Sequence, residues 1–272
     1  MNAFAYHFNF DFRVGIRNKT LMLMNYLFPL GCYVMFGALL GSINPGFLQV
    51  IVPAMSIFSV MGGTLLGMPE MLVSAREAGI FRTYKINGVP ALSILIIPVL
   101  TSMLHALLAT VVIALTAPAL FDGRAPANWL GFLLVFLVSA FAFAGVGTLI
   151  GVVSSNPRVT VLYSQLVFLP SMILGGLMLP SSMLPPAMAK LGLLLPTTYA
   201  MDAFGGLAMG QSDGLHPWLS LAILAAAGLL ALGMSVFLFS WDSKNATRRG
   251  HPALALLAWL PYVVGMLLSL RG

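Results

Sequence analysis

Long apolar stretches separated by short polar breaks dominate the pattern of hydrophobic and polar positions along this chain. Six stretches are long enough to cross the bilayer core, which is about 30 Å thick and takes about 20 helical residues. Helices are expected rather than barrel strands, because a helix satisfies its own backbone hydrogen bonds in lipid and no alternating polar pattern occurs here. The predicted spans are Leu21–Leu40, Leu48–Met68, Val89–Ala117, Trp129–Val153, Val161–Leu179 and Trp218–Phe239.

A seventh apolar segment, Pro252–Leu270, follows the sixth predicted span and contains Pro261. Its apolar length favours an additional C-terminal helix that crosses the membrane and carries the C-terminus outside. A hairpin or a surface segment is the alternative interpretation.

Aromatic residues before the first span recur at every fourth position. Phe4, Phe8, Phe12 and Ile16 would share one face of a helix over residues 1–20. Such a helix would lie along the membrane with its basic residues turned to the lipid headgroups. The alternative is a frayed aromatic tail, since Tyr6 and Phe10 also fit a period of two.

The region between spans five and six, residues 180–210, is rich in prolines. Its first part, Pro180–Leu195, is apolar but too short for a span. It is bracketed by prolines at positions 180, 185, 186 and 196. A segment that dips into the outer leaflet and returns is therefore predicted, with its irregular backbone buried against protein. Thr197–Gly210 would then form a second short helix.

Composition and charge support a membrane protein and fix its expected orientation. The 272 residues are 60% hydrophobic and only 7% charged, against about 25% charged in soluble domains. With the N-terminus in the cytoplasm, ten basic residues lie inside, namely Arg13, Arg17, Lys19, Arg76, Arg82, Lys85, Arg158, Lys244, Arg248 and Arg249. Three lie outside, namely Arg124, Lys190 and Arg271. This bias predicts a multi-pass protein with a cytoplasmic N-terminus, and it explains the scattered basic residues better than a nucleic-acid partner does.

One short island of charge interrupts the apolar pattern between spans two and three. It contains Glu70, Arg76, Glu77, Arg82 and Lys85. Turn-forming residues bound it, with Pro69 before it and Asn87, Gly88 and Pro90 after it. Ser74 followed three residues later by Glu77 has the spacing of a capping box, so a cytoplasmic helix over 74–88 is predicted. It is either a helix that docks a partner or a solvated linker that sets topology.

Two ordered motifs in this chain resemble those of the permease subunit of ABC type 2 exporters. The first is Arg76, Glu77 and Gly79 followed by Arg82, Lys85, Asn87 and Gly88. The second begins with residues 175–180, continues through Leu184 and Pro185, and ends with Pro196, Tyr199 and Asp202. Leu195 replaces the usual Asn, and the usual Arg after the Asp is missing around Phe204 and Gly205. The resemblance covers the chain from about Phe4 to Trp241.

The resemblance implies an all-α, six-helix transmembrane domain over residues 1–241, in a bacterial cytoplasmic (inner) membrane. Residues 74–88 would be its coupling helix, with Arg76, Glu77, Gly79, Arg82 and Lys85 meeting the ATPase. Pro180, Pro185, Pro196, Tyr199 and Asp202 would belong to an outer re-entrant region.

The same resemblance implies partners and a route for cargo. The partners would be two ABC ATPase subunits, a second permease protomer that is identical or homologous, and membrane lipids. The route would run where the protomers face each other and be lined by Met55, Phe58, Met61, Gln165, Phe168 and Met172. The scarcity of buried charges favours a hydrophobic or amphipathic cargo, such as a drug, a lipid or a lipid-linked glycan.

Catalytic chemistry is not expected on this chain. No P-loop motif is present, so Mg-ATP would be bound by the partner ATPase and no cofactor or metal by this chain. The seven acidic residues include no pair at metal-binding spacing, which opposes a membrane-bound lipid enzyme.

A secondary transporter or channel, not driven by ATP, is the alternative function. Such proteins usually carry charged groups along their pathway, and His105 is the one strongly polar titratable group deep in a predicted span. A lone neutral histidine is more readily explained by one hydrogen bond to a neighbouring helix.

Three pairs of glycines lie four residues apart within predicted spans. They are Gly37 with Gly41, Gly63 with Gly67, and Gly147 with Gly151. Small residues at this spacing let helices approach closely. Packing within the chain is favoured over a subunit interface.

Overall fold

The structure is a computed structural model that describes residues 3–178, 183–211, 215–242 and 250–270. Within these ranges, seven helices have the length and apolar composition needed to cross a membrane. In chain order they are span 1 (Lys19–Ile43), span 2 (Ile51–Glu77), span 3 (Ala91–Phe121), span 4 (Trp129–Val153), span 5 (Pro157–Leu174), span 6 (Pro217–Leu238) and span 7 (Pro252–Ser269).

Four shorter α-helices lie outside the spans in the described part of the chain. The N-terminal helix (Ala3–Arg17) lies where the fourfold aromatic repeat predicts a helix. The loop helix (Ile80–Ile86) connects spans 2 and 3. The two hairpin helices (Pro186–Gly192 and Pro196–Ala203) lie between spans 5 and 6. Leu179, the predicted end of span 5, and Pro180 of the predicted re-entrant region lie outside the described residues.

Polar caps set the starts of several spans. The side chain of Asn128 accepts a hydrogen bond from the N–H of Gly131 at the start of span 4. Asn156 does the same for Val159 at the start of span 5, where Pro157 occupies the first turn. These side chains satisfy N–H groups that have no partner inside the helix. Span 4 therefore matches its predicted bounds, while span 5 begins four residues earlier than predicted.

Span 2 extends nine residues beyond its predicted end at Met68 and stops at Glu77. Pro69 does not end it, because the preceding turns, Gly62–Gly67, are wound as a π-helix and Pro69 lies in the first turn of the α-helical part that follows. The missing N–H of the proline falls where the hydrogen-bond register changes from π-helix to α-helix, so the helix continues past it with at most one backbone hydrogen bond lost. The predicted boundary at Pro69 is wrong for this reason.

Span 2 is the central helix of the bundle. Every residue from Ile51 to Leu65 is buried, whereas spans 1, 5 and 7 contain few buried residues. Span 4 crosses span 2 most closely at Gly147, where an added Cβ would lie 1.9 Å from the carbonyl oxygen of Thr64. All six paired glycines lie against other parts of the same chain. The predicted role in internal packing is confirmed.

The bundle has two distinct ends. At the charged end, Arg76 contacts the end of span 4 at Val152 and Ser154, and Arg82 contacts Asp242, which follows span 6. At the hairpin end, the N–H of Asn128 donates to the carbonyl of Ala208 at 3.0 Å. Both hairpin helices lie between the ends of spans 5 and 6 there.

Span 7 runs from the charged end to the hairpin end. It begins as a 3-10 helix (Pro252–Trp259) and continues as an α-helix (Leu260–Ser269). From the rise per residue of each helix type, this segment is about 30 Å long, enough to cross a bilayer core. In its α-helical half Tyr262 is fully buried, with its ring centroid 5.7 Å from that of Tyr199. The segment therefore has the length, composition and course expected of a seventh span.

We predict that Gly147→Ala destabilises the bundle by about 1–3 kcal/mol, because the new methyl group must displace backbone at Thr64. Gly233→Ala in span 6 is the matched control, since a Cβ added there would have no neighbouring atom within 4 Å. Unfolding midpoints in a titration of mixed micelles with SDS would be compared. Equal midpoints for the two variants would contradict the close crossing of spans 2 and 4.

Candidate functional site

The charged island forms two helices instead of the single helix predicted over 74–88. Ser74 lies inside span 2 and is not an N-cap. The break comes at Gly79, which has a left-handed φ of 76° and directly precedes the loop helix. A residue without Cβ adopts this conformation at little cost. The prediction of a helix that starts at Ser74 is therefore wrong, because the span runs through that position.

Arg76 is buried at the junction of spans 2 and 4, and only 4% of its surface is exposed. Its guanidinium donates to the carbonyl of Val152 at 2.9 Å and to that of Ser154. A longer contact of 3.4 Å joins it to the carbonyl of Gly151. These carbonyls end span 4, where the helix leaves acceptors unsatisfied and carries partial negative charge. Arg76 therefore caps span 4 and lies away from the exposed surface of the island.

The loop helix packs against the residues that follow span 6. Phe81 is buried, with its ring centroid 5.6 Å from that of Phe239. The ammonium of Lys85 lies 6.0 Å from the ring centroid of Trp241, at the outer limit of a cation–π contact. One side of the loop helix is thus braced by the polypeptide that leaves span 6.

Charge and aromatic contacts brace the loop helix further. Arg82 forms an ion pair with Asp242, whose side chain is largely buried while that of Arg82 is 60% exposed. Tyr84 meets His7 of the N-terminal helix edge to face at 5.6 Å. Neither Asp242 nor His7 belongs to a sequence motif that predicts these contacts. The available sequence signal for the ion pair was Asp242 itself, an isolated acidic residue just after span 6 and on the same predicted side of the membrane as the basic island.

The opposite side of the loop helix is open. Ile80 is 42% and Ile86 is 80% exposed, and Thr83 between them is also exposed. Positions three residues apart are neighbours on a helix surface. Together with the exposed Glu77 at the end of span 2, they form what we call the docking face: Glu77, Ile80, Thr83 and Ile86.

The N-terminal helix is fastened to span 3 by a polar contact near the charged end. The hydroxyl of Thr101 donates to the carboxylate of Asp11 at 2.5 Å. Burial raises the pKa of Asp11, while Thr101 and the nearby His7 offset part of that rise. Burial and the Asp11 charge both raise the pKa of Tyr84. The contact places a carboxyl group next to the loop helix.

His105 lies in the same contact between the N-terminal helix and the spans. Its Nδ1 is 2.6 Å from the hydroxyl of Tyr26 in span 1, and its ring stacks on Phe12 at 4.5 Å. Gly15 leaves the room that the ring occupies, since a Cβ there would lie 2.3 Å from Nε2. The predicted hydrogen bond between this histidine and a neighbouring helix is present, while its Nε2 is buried with no hydrogen-bond partner among the described residues.

The predicted pathway residues fall mostly inside the bundle. Met55, Phe58 and Met61 of span 2 and Phe168 of span 5 are buried, whereas Gln165 and Met172 are half-buried. Phe58 and Phe168 touch, with ring centroids 5.8 Å apart. In this conformation spans 2 and 5 are closed against each other at that contact.

The two motif residues of the hairpin region make internal hydrogen bonds. The buried Tyr199 donates its hydroxyl to the carbonyl of Leu193 at 2.7 Å, and the carbonyl of Tyr262 in span 7 lies at 3.2 Å. Burial raises the pKa of Tyr199 to about 12. Asp202 accepts from the hydroxyl of Ser220 in span 6 at 2.7 Å. These side chains tie the hairpin to spans 6 and 7.

The two prolines of this motif that the structure describes begin or precede helices. Pro196 starts the second hairpin helix and is buried. Pro185 is exposed and directly precedes the first hairpin helix. A proline fits these positions because its missing N–H would have no partner there.

Comparison with known proteins identifies a family and a relative of this chain. The family model described as "ABC-2 type transporter" matches residues 3–209. A relative named "Putative transport permease YvfS", from Bacillus subtilis (strain 168), is 25% identical over 228 residues. That match covers 82% of this chain and 91% of the relative. No solved structure matches the chain significantly.

We predict that Arg76→Met lowers the stability of the folded chain by about 2–3 kcal/mol, because several carbonyls at the end of span 4 lose a charged donor. Arg158→Met is the matched control, since Arg158 is an exposed basic residue at the same end of the bundle. Unfolding midpoints in SDS titrations would be compared with that of the unchanged chain. A loss no larger for Arg76→Met than for Arg158→Met would contradict the capping role.

Proposed function

This chain belongs to the ABC-2 type transporter family, and we propose that it is the permease subunit of an ATP-driven exporter in a bacterial inner membrane. As a multi-pass transport permease it would act with two ABC ATPase subunits and a second permease protomer, identical or homologous. Mg-ATP would be hydrolysed on the ATPase chains. The observation that carries this proposal is the docking face, an exposed surface on a helix that is rigidly braced at the end of the central span.

The proposed orientation puts the charged end in the cytoplasm. The count of ten basic residues against three supports it. The N-terminal helix would then lie at the inner surface of the bilayer, with the exposed Arg13 and Arg17 near lipid headgroups. The hairpin helices would lie toward the outer leaflet.

We propose that the ATPase binds the docking face. Two exposed isoleucines on a seven-residue helix offer apolar surface that a partner can bury. Glu77 together with Arg82 and Lys85 at the rim would contribute charge complementarity and orientation. Gly79 provides the sharp turn that presents this helix to a partner. Arg76 has a different role in this proposal, because it connects the site to span 4.

Coupling would follow from how the loop helix is held. Closure of the ATPase dimer on ATP would push the loop helix as a rigid body. Its contacts would pass this displacement to span 2 directly, to span 4 through Arg76 and to span 6 through Asp242. The tilt of these spans would open an outward route between protomers.

The cargo proposed for this route is hydrophobic or amphipathic, as in export of a drug, a lipid or a lipid-linked glycan. The residues proposed to line the route are apolar apart from Gln165, so they offer no charge to attract a small ion. Separation of Phe58 from Phe168 would be the opening step between spans 2 and 5, because their rings touch in this conformation. Methionines beside them would adapt to cargo of irregular shape.

Purification of the tagged chain in mild detergent from its native membrane tests the partnership. We expect an ABC ATPase to copurify and to be identified by peptide mass spectrometry. If no ATPase copurifies and liposomes with this chain alone transport a hydrophobic dye without ATP, a secondary transporter or channel is the better explanation.

We predict that Ile86→Asp and Glu77→Lys each weaken binding of the purified ATPase at least tenfold, which corresponds to about 1.4 kcal/mol. Both side chains are exposed, so the permease should still fold and insert. Binding would be measured by titration against the permease in lipid nanodiscs.

Ile43→Asp provides the matched control for this prediction. Ile43 is 78% exposed, close to the 80% of Ile86, but lies at the hairpin end. Its substitution should leave ATPase binding unchanged. Equal effects of Ile43→Asp and Ile86→Asp, or no effect of either, would overturn the assignment of the docking face.

A further inference from the structure

A cavity of about 620 Å³ lies between span 4, span 5 and the first half of span 7. Its walls are mostly apolar, with Leu149 from span 4, Leu166 from span 5 and Leu256 from span 7 among them. Tyr163, His251 and Trp259 supply the polar side-chain atoms. This volume falls within the range of small-molecule sites in proteins.

The cavity opens to the side of the bundle. Leu166 and Leu256 line it and are nevertheless 70% and 71% exposed, whereas Leu149 at its back is 2% exposed. Its lining includes Val153, the last residue of span 4, and His251, which directly precedes span 7. It is therefore a lateral opening in the membrane-spanning part, next to the charged end.

The surroundings of the opening restrict what can fill it. A stable water needs two to four polar partners, and apolar cavities in proteins stay dry. The medium beside a membrane-spanning bundle at this depth is the hydrocarbon of lipid acyl chains. An acyl chain can enter such an opening and bury apolar surface against its mostly apolar walls.

We propose that this cavity binds one acyl chain of a phospholipid from the bilayer leaflet next to the charged end. The polar atoms lie where a phospholipid would need them. The Nδ1 of His251 accepts the N–H of Ala253, so in the neutral ring Nε2 carries the proton and can donate to an ester or phosphate oxygen. The hydroxyl of Tyr163 can donate in the same way, while the apolar walls receive the chain.

A lipid chain bound in this cavity would help to hold span 7 in place. In the 3-10 half of span 7, Ala258 is the buried residue, and that half packs mainly against span 6 and less extensively against span 4. The cavity lies beside these contacts, between the 3-10 half and spans 4 and 5. A bound acyl chain would fill this gap and connect span 7 to both spans. The matched family model ends at residue 209, so this site is built in part from a segment beyond it.

A photoreactive phospholipid tests the proposal on the full chain. The chain would be reconstituted into phosphatidylethanolamine and phosphatidylglycerol vesicles containing a phosphatidylglycerol with a diazirine within one acyl chain. After irradiation, labelled residues would be mapped by peptide mass spectrometry. We expect Val153 and Trp259, both half-buried in the cavity wall, to be labelled at least as strongly as Leu229, which is 65% exposed on span 6.

Filling the cavity should abolish this labelling. Ala255→Phe places a ring in the cavity, because Ala255 lines it, and we expect labelling of Val153 and Trp259 to fall at least fivefold. Ala226→Phe is the control, since Ala226 is exposed on span 6 outside the cavity, and it should leave labelling unchanged. If Ala255→Phe does not fold by gel filtration, Ala253→Phe replaces it, because Ala253 also lines the cavity.

Native mass spectrometry of the detergent-purified chain provides a second readout. One retained phospholipid is expected for the unchanged chain and for Ala226→Phe, and none for the filled variant. Labelling confined to outward-facing residues such as Leu229, or labelling and retention that Ala255→Phe does not change, would overturn the proposal.

Discussion

The arrangement at the charged end depends on one constraint: the carbonyls that end span 4 must find donors away from water. An unsatisfied backbone group in a low-dielectric setting costs a large part of a hydrogen bond, and the end of a helix leaves several. Arg76 meets this need from the last turn of span 2. It therefore fixes the end of span 2 against the end of span 4, at the point where the chain turns into the loop helix.

Close packing farther along the same pair of spans supports this arrangement. Gly147 lets span 4 lie against the backbone of Thr64, within the π-helical turns of span 2. In a bilayer, helix association gains little from the hydrophobic effect, so close contact and hydrogen bonds must supply it. Spans 2 and 4 have both. They form the fixed centre on which the loop helix, the N-terminal helix and the more exposed spans are built.

Apolar length predicted the spans well, because a segment that crosses lipid must be apolar and must satisfy its own backbone hydrogen bonds as a helix. Local rules failed at Pro69 and Ser74, where a proline and a capping pattern indicated an end and a start but the helix continued through both. The role of Arg76 could not be read from sequence either, since its acceptors lie 75 to 78 residues away. The pair of Arg82 with Asp242 joins positions 160 apart, and only the folded bundle brings them together.

The same distribution of contacts limits how a route could open under the proposed function. Span 2 is held to span 4 by Arg76 at one end and by the crossing at Gly147 along its length. Separating these two spans would therefore leave backbone carbonyls without donors and would break the close packing at Gly147. Span 5 has a smaller share of buried residues than span 2. It packs along residues 62–77 of span 2 and meets that span at the rings of Phe58 and Phe168, a contact that has no hydrogen bond between the described residues. A push on the loop helix would therefore move spans 2 and 4 together, and the contact with span 5 would part first.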